Sequence, residues 1–470
     1  MVNVPPTNYA TLDERGLERY NVHVPQSVPN ETSIASSPDA AASFETRTIR
    51  KLRIRILPFI LLLYIISFLD RINIGFAALT MNQELGITSQ QFGFLVGIFF
   101  IGYSIFEIPS NLILHKVGAR IWIARILIVW GIVAALTGFV RTVQQLYVVR
   151  FLLGLGEAGF YPGILLYLTY WFRRREQAQG IALFMTGIPI SSVLGAPVSG
   201  LVLDHVHWLG MSSWRWLMIL EGLPAVIFGV LTYFLLPNRP AEAKFLNESE
   251  KDWITAQLND EEKDKRRTHQ ISAAGALVHS RVWHLAIAAL TTGTAVYAVF
   301  FWTPQIVKTL SSAYSNTVVG FLVMVPYVAG LLAMILVSRS SDHKLERRWH
   351  VAIPAMIAGI ACVALGTSHS IFVTVVLLSV VVGCVCGYQG PLWALPSEFL
   401  SGTSAASGIA LITTMVNLGG FFGPYAFGFI RQKTGTLYGA LAAAGIVFFV
   451  FATLVLLLPR TAPGTPAANA

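Results

Sequence analysis

Charge is what this chain has least of. Only 12% of its 470 residues are Asp, Glu, Lys or Arg, against about 25% in an ordinary soluble domain. Cysteine is scarce too: Cys362, Cys384 and Cys386 are the only three, all in apolar stretches. None has a C-x-x-C or Cys/His spacing, so no metal site is suggested and they read as small packing residues. The apolar stretches hold no Ser/His/Asp arrangement and no Gly-rich phosphate loop, which argues against an enzyme. His115, His343 and His350 fall in or beside polar loops and read as solvated. No apolar run behind a basic segment opens the chain, so a cleaved signal peptide is not expected.

Hydrocarbon is abundant instead. The chain is 54% hydrophobic, in blocks of roughly 20 residues, the length that crosses a bilayer. Twelve such blocks begin near Ile56, Phe92, Ala119, Leu146, Ala178, Trp214, Val282, Val318, Val351, Ile371, Thr403 and Leu437. A polar stretch from Asn238 to Ser280, holding the helix-prone run LNESEKDWITAQLNDEEKDKRR, separates six from six. The expected fold is an all-α polytopic membrane protein with twelve transmembrane helices in two six-helix bundles. Its parts are a disordered tail over 1–50, a first bundle over 51–237, a central loop over 238–280, a second bundle over 281–459 and a tail over 460–470. Paired six-helix halves recur in secondary transporters, with the solute site at mid-membrane between them.

The net charge of +9 does not indicate nucleic-acid binding, because no basic stripe joins a folded soluble domain. It follows the positive-inside pattern. Lys51, Arg53, Lys116, Arg120, Arg125, the triplet Arg173–Arg174–Arg175, Arg339, Lys344, Arg347 and Arg348 fall on one side, and only Arg141, Lys308, Arg431 and Lys433 on the other. A multi-pass protein of the cell membrane with both termini in the cytoplasm is expected. The 39 glycines suit helices that approach closely and slide.

The few intramembrane charges carry the functional signal. The first apolar stretch, IRILPFILLLYIISFLDRINIGFAAL, contains the adjacent pair Asp70 and Arg71. A charge at mid-membrane costs about 2.5–3.5 kcal/mol on insertion scales and usually marks a solute or ion path. Counting 1.5 Å per residue places Asp70 roughly 21 Å along the first span and Glu157 roughly 16 Å from the outer end of the fourth. Arg150 and Glu157 are seven residues apart and share a helix face. If both helices line one cavity, the four charges form a mixed cluster suited to proton-coupled movement of an organic anion. Arginine offers a permanent planar fork for a carboxylate, and a buried carboxylate can exchange a proton. A static salt bridge is the plainer alternative. Glu107 and Glu221 read as structural or gating ion pairs, and Arg215 between Trp214 and Trp216 as an interface anchor. The second half offers Thr291, Thr292, Thr294 and Tyr297, then Gln389 and Trp393, then Thr413, Thr414 and Asn417. Asn417 is the strongest of these, since an amide at mid-depth needs partners, whereas a lone Thr bonds its own backbone.

At these residues the chain resembles the anion:cation symporter family of the major facilitator superfamily, in its organic-acid branch of tartrate, phthalate, hydroxyphenylacetate and aldonate or aldarate carriers. The matching stretches are FLDRINIGFA, FEIPSNLILHKVGARIWIAR, RFLLGLGEAGFYPG, WRWLMILEGLPAV and SDHKLERRW. The second departs from the superfamily's loop motif, with Asn111 and His115 near positions that usually hold Gly and Asp. Asp342 keeps the acidic character in the second half, with Arg347 read as its ion-pair partner. The resemblance implies proton coupling at Asp70 and Glu157. It implies a substrate or coupling role for Arg71, a tuning role for Arg150 and substrate contacts at Tyr103 and Asn417. Tyr297 and Trp393 join these as candidate substrate contacts. The expected protein imports a small mono- or dicarboxylate, such as a sugar acid, tartrate or an aromatic acid, with protons, uses no cofactor and works as a monomer in the lipid bilayer. A facilitator or antiporter for a neutral or cationic solute, and a membrane sensor that binds without transporting, are the alternatives.

Overall fold

The computed structural model describes residues 38–267, 273–310, 313–400 and 402–459. Contacts divide the chain after Arg47. In the short first unit, Thr46 Oγ1 donates to the Ala42 carbonyl at 2.8 Å and the Arg47 guanidinium lies over the Phe44 ring. Helix is already present from Pro38, so the expected disordered tail over 1–50 is corrected over its last residues. The local reason is sequence: Pro at the helix start has φ preset and no N–H to waste, and the alanines that follow are strong helix formers. The rest of that tail, and the tail over 460–470, lie outside the described residues.

Among the described residues, twelve helices are long and apolar enough to cross a membrane. The first, α1, runs Pro38–Glu84. The others are α2 Ser89–Val117, α3 Ala119–Thr137, α4 Val143–Thr169, α5 Arg175–His205, α6 Ser213–Leu235, α7 Ser280–Leu310, α8 Asn316–Lys344, α9 Arg348–Gly366, α10 Ile371–Ala394, α11 Ser407–Thr434 and α12 Tyr438–Leu457. Each span keeps one face inward and turns apolar side chains such as Ile105, Leu112, Phe234, Leu336 and Phe372 outward. Only a helix can satisfy its own backbone in hydrocarbon, and such an apolar outer surface is what lipid requires.

Local chemistry sets where the helices begin and break. Thr88 opens α2 with a capping box: its hydroxyl accepts from the Gln91 N–H and the Gln91 side chain accepts from the Thr88 N–H. α4 is interrupted after Glu157, where Gly159 takes φ +85° before helix resumes at Phe160. Glycine enters that left-handed region without a Cβ penalty, and a Cβ there would collide with Ser110. Glu157 is thus the last residue of its helical segment.

α3 packs on α6 and α2 on α4 in the first half; α7 packs on α11, α8 on α10 and α9 on α12 in the second. The halves meet along α2 against α11 and α5 against α8. At the end of the bundle away from the central stretch, the far end, Gln90 donates to Tyr425 Oη at 3.0 Å and its N–H to Gln432 at 2.9 Å. There the Asp204 carboxylate also accepts from the Asn316 N–H, the Asn316 amide and the Thr317 N–H at 3.1, 2.8 and 2.7 Å. It caps the exposed N–H groups of α8 across the interface. At the other end the central stretch, including the helix Glu248–Arg267, docks on the first half. Lys51 pairs with Glu250 at 2.7 Å, Arg120 with Glu242 at 2.7 Å, and Arg173 lies over Trp253.

Candidate functional site

The adjacent residues Asp70 and Arg71 face different neighbours, because successive helical side chains diverge by about 100°. Arg71 turns to α4 and forms an ion pair with Glu157: Nε and Nη2 donate to Glu157 Oε1 at 2.9 and 2.7 Å. Ser67, one turn earlier on α1, donates to the same oxygen at 3.0 Å. None of the described bonds reaches Glu157 Oε2. Glu157 is 1% exposed and Arg71 12%. The guanidinium is cupped by the rings of Phe68, Phe99 and Tyr103 at 5.3–5.5 Å from their centroids, a cation–π environment that holds it without competing acceptors.

Asp70 turns to α3. Trp130 Nε1 donates to its Oδ2, and the Asn73 amide donates to Oδ1 at 3.2 Å. Arg150 is buried with its guanidinium over the Phe99 ring at 5.2 Å, and its Nε has no partner. It pairs with neither Glu157 nor Asp70 within salt-bridge distance among the described residues. The shared helix face does bring Arg150 and Glu157 into one cluster, but Phe99 from α2 stands against Arg150 and Arg71 takes the carboxylate.

Two expected ion pairs are corrected. Glu107 on α2 has no basic partner among the described residues; it accepts from the Asn417 amide of α11 at 3.3 Å, across the interface between halves. Glu221 on α6 also lacks a basic partner: Oε1 accepts from Ser199 of α5 at 2.9 Å and Oε2 is unpartnered. Helix spacing cannot reveal either, because the partners come from other helices. Asp342 and Arg347 meet at 2.5 Å in the turn after α8. Arg215 does more than anchor at an interface: it pairs with Glu84 at 3.0 Å and donates to the carbonyls of Gly138 and Val140, stapling α1, α3 and α6.

A cavity opens beside this cluster. The first half contributes Phe68 and Ile188; α7, α8, α10, α11 and α12 supply the rest, including Tyr297, Tyr327, Gln389 and Trp393. Tyr297 packs on Phe100 with centroids 4.6 Å apart. Phe68 touches both the cavity and the guanidinium. Trp393 donates to Gln389 at 3.0 Å, and Thr292 bonds the Tyr388 hydroxyl at 2.7 Å. Thr291, Thr294, Thr413 and Thr414 bond their own helices. Tyr103, Arg150 and Asn417 do not line the cavity: Tyr103 lies under Arg71, and Asn417 lies against Glu107. The residues that sequence reading missed are Ser67, Asn73, Phe99 and Trp130. Asn73, three residues from Asp70, carried a helical-spacing signal; Trp130 carried none.

The family model of the Major Facilitator Superfamily matches residues 60–313 and 306–470. A protein of Agrobacterium vitis named "Putative tartrate transporter" is 45% identical over 423 residues, covering 90% of this chain and 97% of that one. The inner membrane transport protein RhmT of Escherichia coli is 36% identical, covering 84% and 90%. Among solved structures, the xylose transporter XylE from E. coli, in a partially occluded inward-open conformation, superposes with a TM-score of 0.71 at 16% identity, covering 88% of this chain and 99% of that one. With its twelve apolar helices in two halves, the chain is a multi-pass membrane transporter of the Major Facilitator Superfamily.

Proposed function

We propose that the chain is a proton-coupled symporter that imports a small organic carboxylate across the cell membrane by alternating access. The observation that carries this reading is the buried Arg71–Glu157 ion pair, packed against Phe68, which lines the cavity. An arginine already neutralised by one carboxylate can accept another only if the first gives way. Protonation of Glu157, whose Oε2 lies outside the described hydrogen bonds, removes its charge and frees the Nε/Nη2 fork. The fork matches a carboxylate in two parallel hydrogen bonds. The substrate anion then occupies the position Glu157 held, and the net charge of the site is unchanged. Release of the proton on the other side returns Glu157 to Arg71 and expels the anion. Asp70 is the second proton site, held by Trp130 and Asn73 and acting through α3. Arg150 sets the field at Glu157, and Tyr297 and Trp393 orient the substrate body.

The relatives named for tartrate transport support the organic-anion class. The basic bias of the central-stretch end supports placing that end and both termini in the cytoplasm. The ties at the far end then close the outer side. One copy of the chain holds the whole cluster, which supports a functional monomer.

Uptake of radiolabelled organic acids into proteoliposomes under an imposed pH gradient tests the coupling, with protein-free vesicles correcting for passage of the neutral acid. Glu157→Gln is expected to bind carboxylate but to lose accumulation by about tenfold or more, while counterflow exchange persists. A Glu157→Gln protein that concentrates substrate as the wild type does overturns the scheme.

A further inference from the structure

We infer that the solute held in the cavity is a monocarboxylate with a single apolar ring, and that polyhydroxylated diacids are poor ligands. The inference rests on the reading above that Arg71 receives the substrate carboxylate, and adds the chemistry of the remainder. Four observations carry it.

The first is the wall. Phe68, Tyr297, Phe300, Tyr327, Trp393 and Phe448 line the cavity, with Val381, Val382 and Val385 between them. Phe300 meets Phe68 and Tyr327 edge-on, with centroids 6.5 and 5.9 Å apart. Such a ring set favours a further aromatic ring by area and by edge-to-face geometry.

The second is that Thr292, Thr303 and the Gln389 carbonyl oxygen in the wall are already engaged with the protein. Thr292 is bonded to Tyr388, Gln389 Oε1 accepts from Trp393, and Thr303 donates to the Val299 carbonyl at 2.9 Å. A polyhydroxylated solute would give up water for a surface with few free partners, and each unmatched hydroxyl weakens binding.

The third is charge. Among the described residues the cavity wall contains no Lys, Arg or His. Arg71 lies behind Phe68, which lines the cavity, while Arg150 is sealed beside Phe99. One available cation admits one carboxylate; a second would be desolvated without a partner.

The fourth is placement. Phe68 contacts the Arg71 guanidinium and also lines the cavity. A carboxylate seated on Arg71 therefore directs whatever it is attached to past the Phe68 ring and toward α8 and α10.

Calorimetric titration of the detergent-solubilised full chain with benzoate, phthalate, L-tartrate and acetate tests this without depending on transport. Benzoate is expected to bind about tenfold or more tightly than acetate or tartrate, with a negative heat-capacity change from apolar burial, and phthalate is expected to bind more weakly than benzoate. Val382→Phe, which fills the cavity, is expected to weaken benzoate about tenfold while leaving acetate unchanged. Val385→Asn, smaller in its demand on packing, is expected to narrow the gap between benzoate and tartrate. Tartrate binding more tightly than benzoate overturns the inference, as does phthalate binding as tightly as benzoate, or benzoate affinity that neither variant alters. Benzoate that binds as expected but is never moved in proteoliposomes upholds the ligand class and overturns the transport reading instead.

Discussion

Arg71 donates two hydrogen bonds to one oxygen of Glu157 and leaves the other outside its fork. Lysine at that position would offer a point charge without a fork. Arg71→Lys is expected to keep the fold, measured by thermal stability, and to lower the initial uptake rate by about tenfold or more. Asp70 depends equally on a neighbour. Trp130→Phe removes the indole donor and leaves a buried carboxylate with Asn73 as its remaining described donor, a change worth about 1–3 kcal/mol. The hydrogen-bond part of that destabilisation is expected to vanish in an Asp70→Leu background, which has no acceptor, and a double-mutant cycle on unfolding measures it. The sequence made Asp70, Arg71, Arg150 and Glu157 visible because charge in an apolar run is rare. It left their pairing hidden, because Trp130, Ser67 and Phe99 are ordinary residues in a membrane helix.

Helix crossings place these side chains. Gly154 of α4 lies on α2 so closely that a Cβ would strike the Phe99 carbonyl and come within 2.9 Å of the Tyr103 N. Gly102 of α2 meets the Phe151 carbonyl in the same way. Phe99 and Tyr103 cup Arg71, so this crossing sets the guanidinium's position. Gly154→Val is expected to destabilise the protein by about 1–3 kcal/mol through overpacking and to lower substrate affinity with it, read from unfolding and binding on one preparation. At the start of α9, Glu346 accepts from the Trp349 N–H at 2.8 Å and the His350 N–H at 3.2 Å, capping the helix. Burial pushes its carboxyl up, but these N–H groups and the His350 ring outweigh it and hold the folded carboxyl below the usual glutamate range. Its contribution is therefore present at neutral pH and lost as pH falls from the ordinary glutamate range through the lowered folded value. The gap in thermal midpoint between wild type and Glu346→Gln is expected to stay constant near neutrality and shrink in acid.

Across the whole molecule, the two halves form one transport pathway only if their interface can open. The far-end contacts hold it in the arrangement described. Asp204 on α5 ties the first turn of α8, and Gly428 on α11 lies against the Ser89 carbonyl at the start of α2. Asp204→Ala removes a charged cap on a helix start, worth about 1–2 kcal/mol, enough to shift a two-state equilibrium about tenfold. The variant is expected to increase thiol labelling of a cysteine introduced at Gln90; unchanged labelling would show that the tie does not hold the far end shut.

Twelve helices, their division into six and six and the membrane as solvent were determined by the sequence itself. Each is a local consequence of runs of apolar side chains whose backbone must satisfy itself in hydrocarbon. The superfamily was legible for the same reason, in motifs that are contiguous along the chain. Tertiary structure decided the rest. It decided that Arg71 pairs with Glu157 while Asp70 turns to Trp130, and that Glu107 bonds Asn417 instead of a base. It also decided that the second half presents the cluster with an aromatic, uncharged wall. Partnership between buried polar groups depends on which helices cross and at what rotation. The glycines and rings at those crossings set both, and sequence spacing within one helix is blind to them.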